Sequence, residues 1–149
     1  MIRQANIFDI DIIIEMLKHY RDADPVKTIK NANNREYIVD MLTQLVAGLG
    51  VIFLAEKDNK VIGFLMAGII PNFWNPESAE LHELAYWVEP EYRGGTAGYR
   101  LLKTYCNYGE QLKDEKRIDL FTVSKMINSP DIKYQKFGFE KIEEMWINA

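Results

Sequence analysis

Sulfur, histidine, long apolar runs and excess positive charge are all scarce in this chain, and each shortage closes off a class of function. A single cysteine, Cys106, allows no internal disulfide and points to a reducing, cytoplasmic setting. It stands beside Tyr105 in a helical pattern with no histidine close by in sequence, so the thiol reads as a packing residue. Two histidines and one cysteine offer no recognisable ligand spacing, and no metal is expected. No apolar run approaches the roughly 20 residues a membrane helix needs. The acidic and amide residues in MIRQANIFDIDIII interrupt any signal-peptide core, so neither membrane insertion nor export is expected. The 18 Lys and Arg against 22 Asp and Glu leave a net charge of −4, which does not advertise a nucleic-acid surface. Both generic phosphate fingerprints, Gly-x-x-x-x-Gly-Lys-Ser/Thr and Gly-x-Gly-x-x-Gly, are missing, as are internal repeats and low-complexity linkers.

What is present is a chain of 149 residues, 48% apolar, which suits one globular domain over residues 1–149. Ile2–Ile7 reads as a first strand, after which Asp9 is placed to cap a helix with Ile10, Ile13, Ile14 and Leu17 on one face. Asn33 or Asn34 then caps a second helix carrying Ile38, Met41, Leu42, Leu45 and Leu49, closed by Gly48 and Gly50. Val51–Ala55 and Val61–Ile70, joined through Asp58-Asn59, form a hairpin, and Glu80–Val88 forms the next strand. A helix from about Thr96 presents Gly98, Leu101, Leu102, Tyr105, Tyr108 and Leu112, and leads to a strand at Ile118–Val123 that its composition suggests is buried on both faces. A short helix ending near Gly138 and a last strand over Phe139–Ile147 complete an α/β order: a mixed sheet, antiparallel first and parallel across a right-handed βαβ crossover.

The small residues between the strand and the crossover helix carry chemistry. Bare backbone N–H groups at a helix N-terminus attract phosphate, and VEPEYRGGTAG (Val88–Gly98) puts three glycines there. This stretch resembles the acetyl-CoA signature of the GNAT superfamily of N-acetyltransferases, most of all its small bacterial and phage-type members. YQKFGF (Tyr134–Phe139) is similar to that family's Tyr-x-x-x-Gly-Phe. Thr96 departs from the signature, which has Gly there, yet its amide still serves if its φ stays negative.

The resemblance implies an acetyl-CoA-dependent N-acetyltransferase acting on a primary amine of a small molecule or protein, with acetyl-CoA as co-substrate and no metal. It implies that the nucleotide end meets Arg93, Gly94, Gly95, Thr96, Ala97, Gly98, Tyr99 and Arg100, and that Trp87 and Val88 pair through their backbones with the pantetheine arm, Val88 N–H also holding the oxyanion. Tyr134 is the candidate acid, since a phenol stays protonated near neutrality. Glu83 and His82 are the candidate bases and, as strand neighbours, face opposite ways unless a bulge intervenes. Glu83 is favoured. The resemblance implies that the loop Pro71–Ser78 and the two N-terminal helices form the acceptor side, where Phe73 and Trp74 either wall a pocket or cover the sheet edge, while His19 reads as solvated. A non-catalytic acyl-CoA-binding or regulatory module and an enzyme modifying nucleic-acid amines are the alternatives. Association into a homodimer is left open.

Overall fold

The computed structural model describes residues 1–149, apart from the side chain of Lys30. Strand β1 (Ile2–Gln4) leads through a 3-10 turn at Ile7–Asp9 into α1 (Ile10–Ala23), followed by α2 (Lys27–Lys30) and α3 (Arg35–Gln44). Then come β2 (Gly50–Lys57), β3 (Lys60–Pro71), β4 (Ala79–Val88), α4 (Ala97–Asp114) and β5 (Leu120–Thr122). The sheet runs β1-β2-β3-β4-β5, with antiparallel pairs up to β4 and a parallel β4–β5 pair, as the patterning predicts. Positive φ at Asp58 and Asn59 lets these two residues turn β2 into β3.

Helices cover the two faces of the sheet. On one, Ile13, Ile14 and Met16 of α1 and Leu42 of α3 pack on Ile52, Leu54, Phe64 and Met66. On the other, Leu101, Leu102, Tyr105 and Leu112 of α4 pack on Val51, Phe53, Leu65, Ala67 and Leu81. Each such side chain contributes about 1.5–3 kcal/mol by leaving water.

Several boundaries differ from expectation. The first strand is shorter because Asn6 caps the 3-10 turn at Ile7–Asp9, and the Asp9 carboxylate accepts from Arg3 and the Asn6 N–H instead of capping α1. Leu49 is exposed, since Gly48 leaves the helical region at φ +118° before it. Leu120 of β5 is 42% exposed, against the expectation of burial on both faces. The expected last strand over Phe139–Ile147 is not formed: residues 138–149 lie outside any helix or strand, with Met145 96% and Trp146 87% exposed. The adjacent Glu143 and Glu144 interrupt the period-two alternation a half-buried strand requires.

Candidate active site

A cleft of about 360 Å³ opens where β4 and β5 part. The two strands pair only over Glu80–His82 and Leu120–Thr122, which leaves the remainder of β4, from Glu83 to Val88, without a neighbour on that side. Opposite it, Glu89 N–H donates to Ile62 O at 2.9 Å, so hydrogen-bonded pairs with β3 alternate from there: Trp87 bonds to Phe64, while the N–H and C=O of Val88 point away from β3. Val88 O accepts from Arg93 Nε at 2.9 Å. Of the two residues expected to offer backbone groups to an extended ligand, Val88 faces the gap, and Trp87 contributes its ring to the wall.

A bulge sets which side chains enter. Ala67 pairs with Glu83 and Met66 with Ala85, so Leu84 is the extra residue and the strand's parity reverses there. Leu81 joins the core under α4, while Ala85 and Trp87 join the core under α1 and α3. Glu83 lines the cleft. Burial pushes its carboxyl up from the ordinary 4.5 to about 7, opposed in part by the Ser124 N–H that donates to Oε2 at 3.0 Å. Four phenols are raised in part by its charge: Tyr20 of α1, Tyr86 of β4, Tyr105 of α4, and Tyr134. Tyr134, in a 3-10 turn at Tyr134–Phe137 closed by Gly138 at φ +87°, lines the same cleft; burial pushes its phenol up to about 12.

His82 is elsewhere. Its Nδ1 lies 2.7 Å from Thr122 Oγ1 and its Nε2 2.7 Å from Glu80 Oε2, and Glu80 accepts in turn from Asn72. Those bonds, with Asn72 first and His82 second, hold the Glu80 carboxyl below its usual range. His82 is not among the cleft-lining residues. Phe73 and Trp74 are each 87% exposed, stack edge to face on one another, and do not wall the cleft. The cleft is walled instead by Tyr20 and Ala23 of α1 with Leu84, Trp87 and Met126. His19 is not simply solvated: its Nδ1 is 2.7 Å from Oε1 of the buried Glu89.

At the far end, Arg93, Gly94, Gly95, Gly98 and Tyr99 line the cleft, while Thr96, Ala97 and Arg100 stand outside its wall. Thr96 has φ −97°. Arg100 N–H is the first of α4 to reach a helical carbonyl, Thr96 O, which leaves those of Ala97, Gly98 and Tyr99 at the open end of the helix. Gly98 leaves room for the Tyr86 hydroxyl, which donates to Gly98 O; a Cβ there would stand 3.0 Å from that hydroxyl and oblige it to shift by a few tenths of an ångström. Tyr99 also borders a depression lined by Lys103, Lys133 and Lys136. Periodicity marks those lysines only as surface residues. Tyr20, Ser124 and Met126 were equally hidden, because each joins the site through chain crossings no local pattern encodes.

This sheet, parted at a βαβ crossover beside a glycine-lined helix start, is an acetyltransferase architecture. A family model described as the acetyltransferase (GNAT) family matches residues 14–139, and the chain belongs to that family. Among solved structures it is similar to a predicted acetyltransferase with acetyl-CoA from Clostridium acetobutylicum, at 20% identity and a TM-score of 0.73 over 100% of this chain and 94% of that one. An acetyltransferase from Trypanosoma brucei matches at 20% identity and TM-score 0.69, over 100% of this chain and 98% of that one. An aminoglycoside acetyltransferase from an uncultured soil metagenomic sample, in complex with sisomicin, matches at 16% identity and TM-score 0.64, over 100% and 95%. No curated protein sequence matches significantly. Among the described residues no helix is long and apolar enough to cross a membrane, and no cluster of side chains suits a metal.

Proposed function

We propose that the chain transfers the acetyl group of acetyl-CoA to a primary amine. The observation that carries this reading is the union, in one cleft, of a desolvated carboxyl and a protonated phenol with a glycine-lined helix N-terminus. The residues fit the co-substrate. Open N–H groups of Ala97, Gly98 and Tyr99 and the positive end of α4 suit a pyrophosphate, about 0.3–1 kcal/mol per charge from the dipole alone. Lys103, Lys133 and Lys136 add charge for a further phosphate beside them. Val88 N–H, turned away from β3, suits an extended amide-bearing arm or a developing oxyanion.

An alkyl amine with a pKa of about 10.4 is neutral in roughly one molecule per thousand at neutral pH, so removing its proton is the first task. Glu83, ionised above about pH 7, takes that proton directly or through a water. The freed nitrogen pair forms the bond to the thioester carbon, and the carbon–sulfur bond breaks with its pair on sulfur. The proton remaining on nitrogen passes to that sulfur. Tyr134, with its phenol held up at about 12, stays protonated throughout and stabilises the leaving thiolate as a hydrogen-bond donor.

Calorimetry with CoA on the parent and on Gly95→Glu tests the nucleotide half. A Cβ at Gly95 meets nothing closer than Tyr92 O at 3.5 Å, so the fold tolerates the change while a carboxylate enters the phosphate path. Affinity is expected to fall by more than about tenfold; unchanged affinity removes the assignment. Thiol release dependent on added amine, with an acetyl mass gain on that amine, tests the transfer.

A further inference from the structure

The acceptor half of the cleft carries almost no charge. Its wall is Tyr20, Leu84, Trp87 and Met126, and the cleft as a whole holds one carboxylate, Glu83, and one cation, Arg93. Arg93, exposed at the border with the glycine-lined end, stacks its guanidinium over the Trp87 ring at 4.4 Å. Of the acids near this half, one is ion-paired and the other, Asp24, reaches Tyr20 only as the smallest of three causes that raise its phenol, after burial and Glu83. Asp24, buried beside Ala23, accepts from Val26 N–H at 2.7 Å, and Glu89 is paired with His19. The buried side-chain donor left without a partner among the described residues, Trp87 Nε1, calls for an oxygen and not for another N–H.

We propose that the acceptor is a primary amine on an apolar or aromatic body without a second positive charge, seated against Tyr20, Leu84, Trp87 and Met126. A polycation, such as a polyamine or an aminoglycoside, places its non-reacting ammonium groups against aliphatic and aromatic carbon and the Arg93 guanidinium, since among the described residues lining the cleft the one carboxylate is Glu83, which the reacting amine occupies. This rests on the N-acetyltransferase reading and narrows its substrate.

The test compares two amines of equal length, hexylamine and hexamethylenediamine, with tyramine and kanamycin as wider probes, by thiol release at saturating acetyl-CoA. The expected kcat/KM for hexylamine exceeds that for the diamine by about tenfold or more, tyramine ranking with hexylamine and kanamycin last. Leu84→Asp, which adds a carboxylate to an exposed part of the wall, is expected to shrink that ratio by about tenfold. Met126→Glu gives the same reading from the facing segment if the first variant does not fold. A parent that prefers the diamine or kanamycin overturns the proposal and leaves the acetyltransferase reading standing, as does a ratio that neither variant moves. A protein that binds CoA but acetylates no amine overturns both.

Discussion

The two faces of β4 around residues 82 and 83 treat ionisable groups in opposite ways. His82 has a partner for each ring nitrogen, and the bonds extend through Glu80 to Asn72 and across to Thr122 on β5. Glu83, one residue on, has a single hydrogen bond, from Ser124 N–H, and otherwise sits among phenols that raise no charge against it. The satisfied group holds two strands together at their last shared register position; the unsatisfied one stands where they part. A fold that leaves a carboxyl desolvated without an ion pair gives up stability there, and that cost is what the proposed role of Glu83 as the base would explain.

The largest expected effect therefore comes from Glu83→Gln. Turnover should fall by about 10²–10⁴-fold. The parent's rate should rise with pH through about 7, where the carboxyl ionises, and the variant should lose that limb and recover only as alkali deprotonates the amine unaided. Stability should move the other way. A carboxyl whose folded pKa lies above its ordinary value of 4.5 costs nothing while protonated in both states, and the cost grows from there to about pH 7. The variant should match the parent's melting temperature in acid and exceed it at neutral pH. Loss of activity together with loss of stability in Glu83→Gln would remove the contrast between the faces.

Tyr134→Phe comes next and sharpens the same face. Deleting the hydroxyl keeps the ring's edge-to-face contact with Phe139, so melting should hardly change while turnover falls by about 10- to 100-fold if thiolate departure limits the rate, the worth of one hydrogen bond to a charged group. CoA affinity should stay within a few-fold. A parallel fall in stability and rate would mark Tyr134 as a packing residue.

The difference between the faces was only partly legible in the sequence. Alternation alone separates His82 from Glu83, and the strand, glycine turn and helix over Val88–Gly98 are visible because small residues at a helix start have few other uses. The bulge at Leu84 is suggested only by the family resemblance, since no Gly or Pro marks it in the residues themselves, and it decides that Trp87 turns its ring toward α1. Pairings such as His19 with Glu89, 70 residues apart, depend on how α1 lies across the sheet, which local propensity does not encode. For Phe73 and Trp74 the sequence leaves two readings open, an acceptor wall or a cover for the sheet edge, for the same reason. Their loop is fixed by its own Asn72 and Asn75 turns and carries both rings into solvent, away from the cleft.

The smallest expected effect belongs to His82→Gln. Glutamine keeps one amide donor for Glu80 but cannot span to Thr122 Oγ1 at the same time, so about one hydrogen bond is lost, roughly 0.5–1.5 kcal/mol. For a chain of this size that is a fall in melting temperature of about 2–4 °C per kcal/mol. Turnover at neutral pH should stay within a few-fold of the parent. The informative readout is the acid limb. Thr122 and Ser124 are two residues apart on the segment that leaves β5, one tied to each face of β4. If the two faces act independently, the limb stays near pH 7 in His82→Gln and in Thr122→Val. If releasing Thr122 also frees Ser124, Glu83 loses the bond that favours its ionised form and the limb moves to higher pH in both variants, by the same amount and without addition in the double variant. His82 would then act on the proton transfer only through the strand it clamps. A limb that vanishes in His82→Gln while Glu83→Gln retains it would reverse the roles of the two faces.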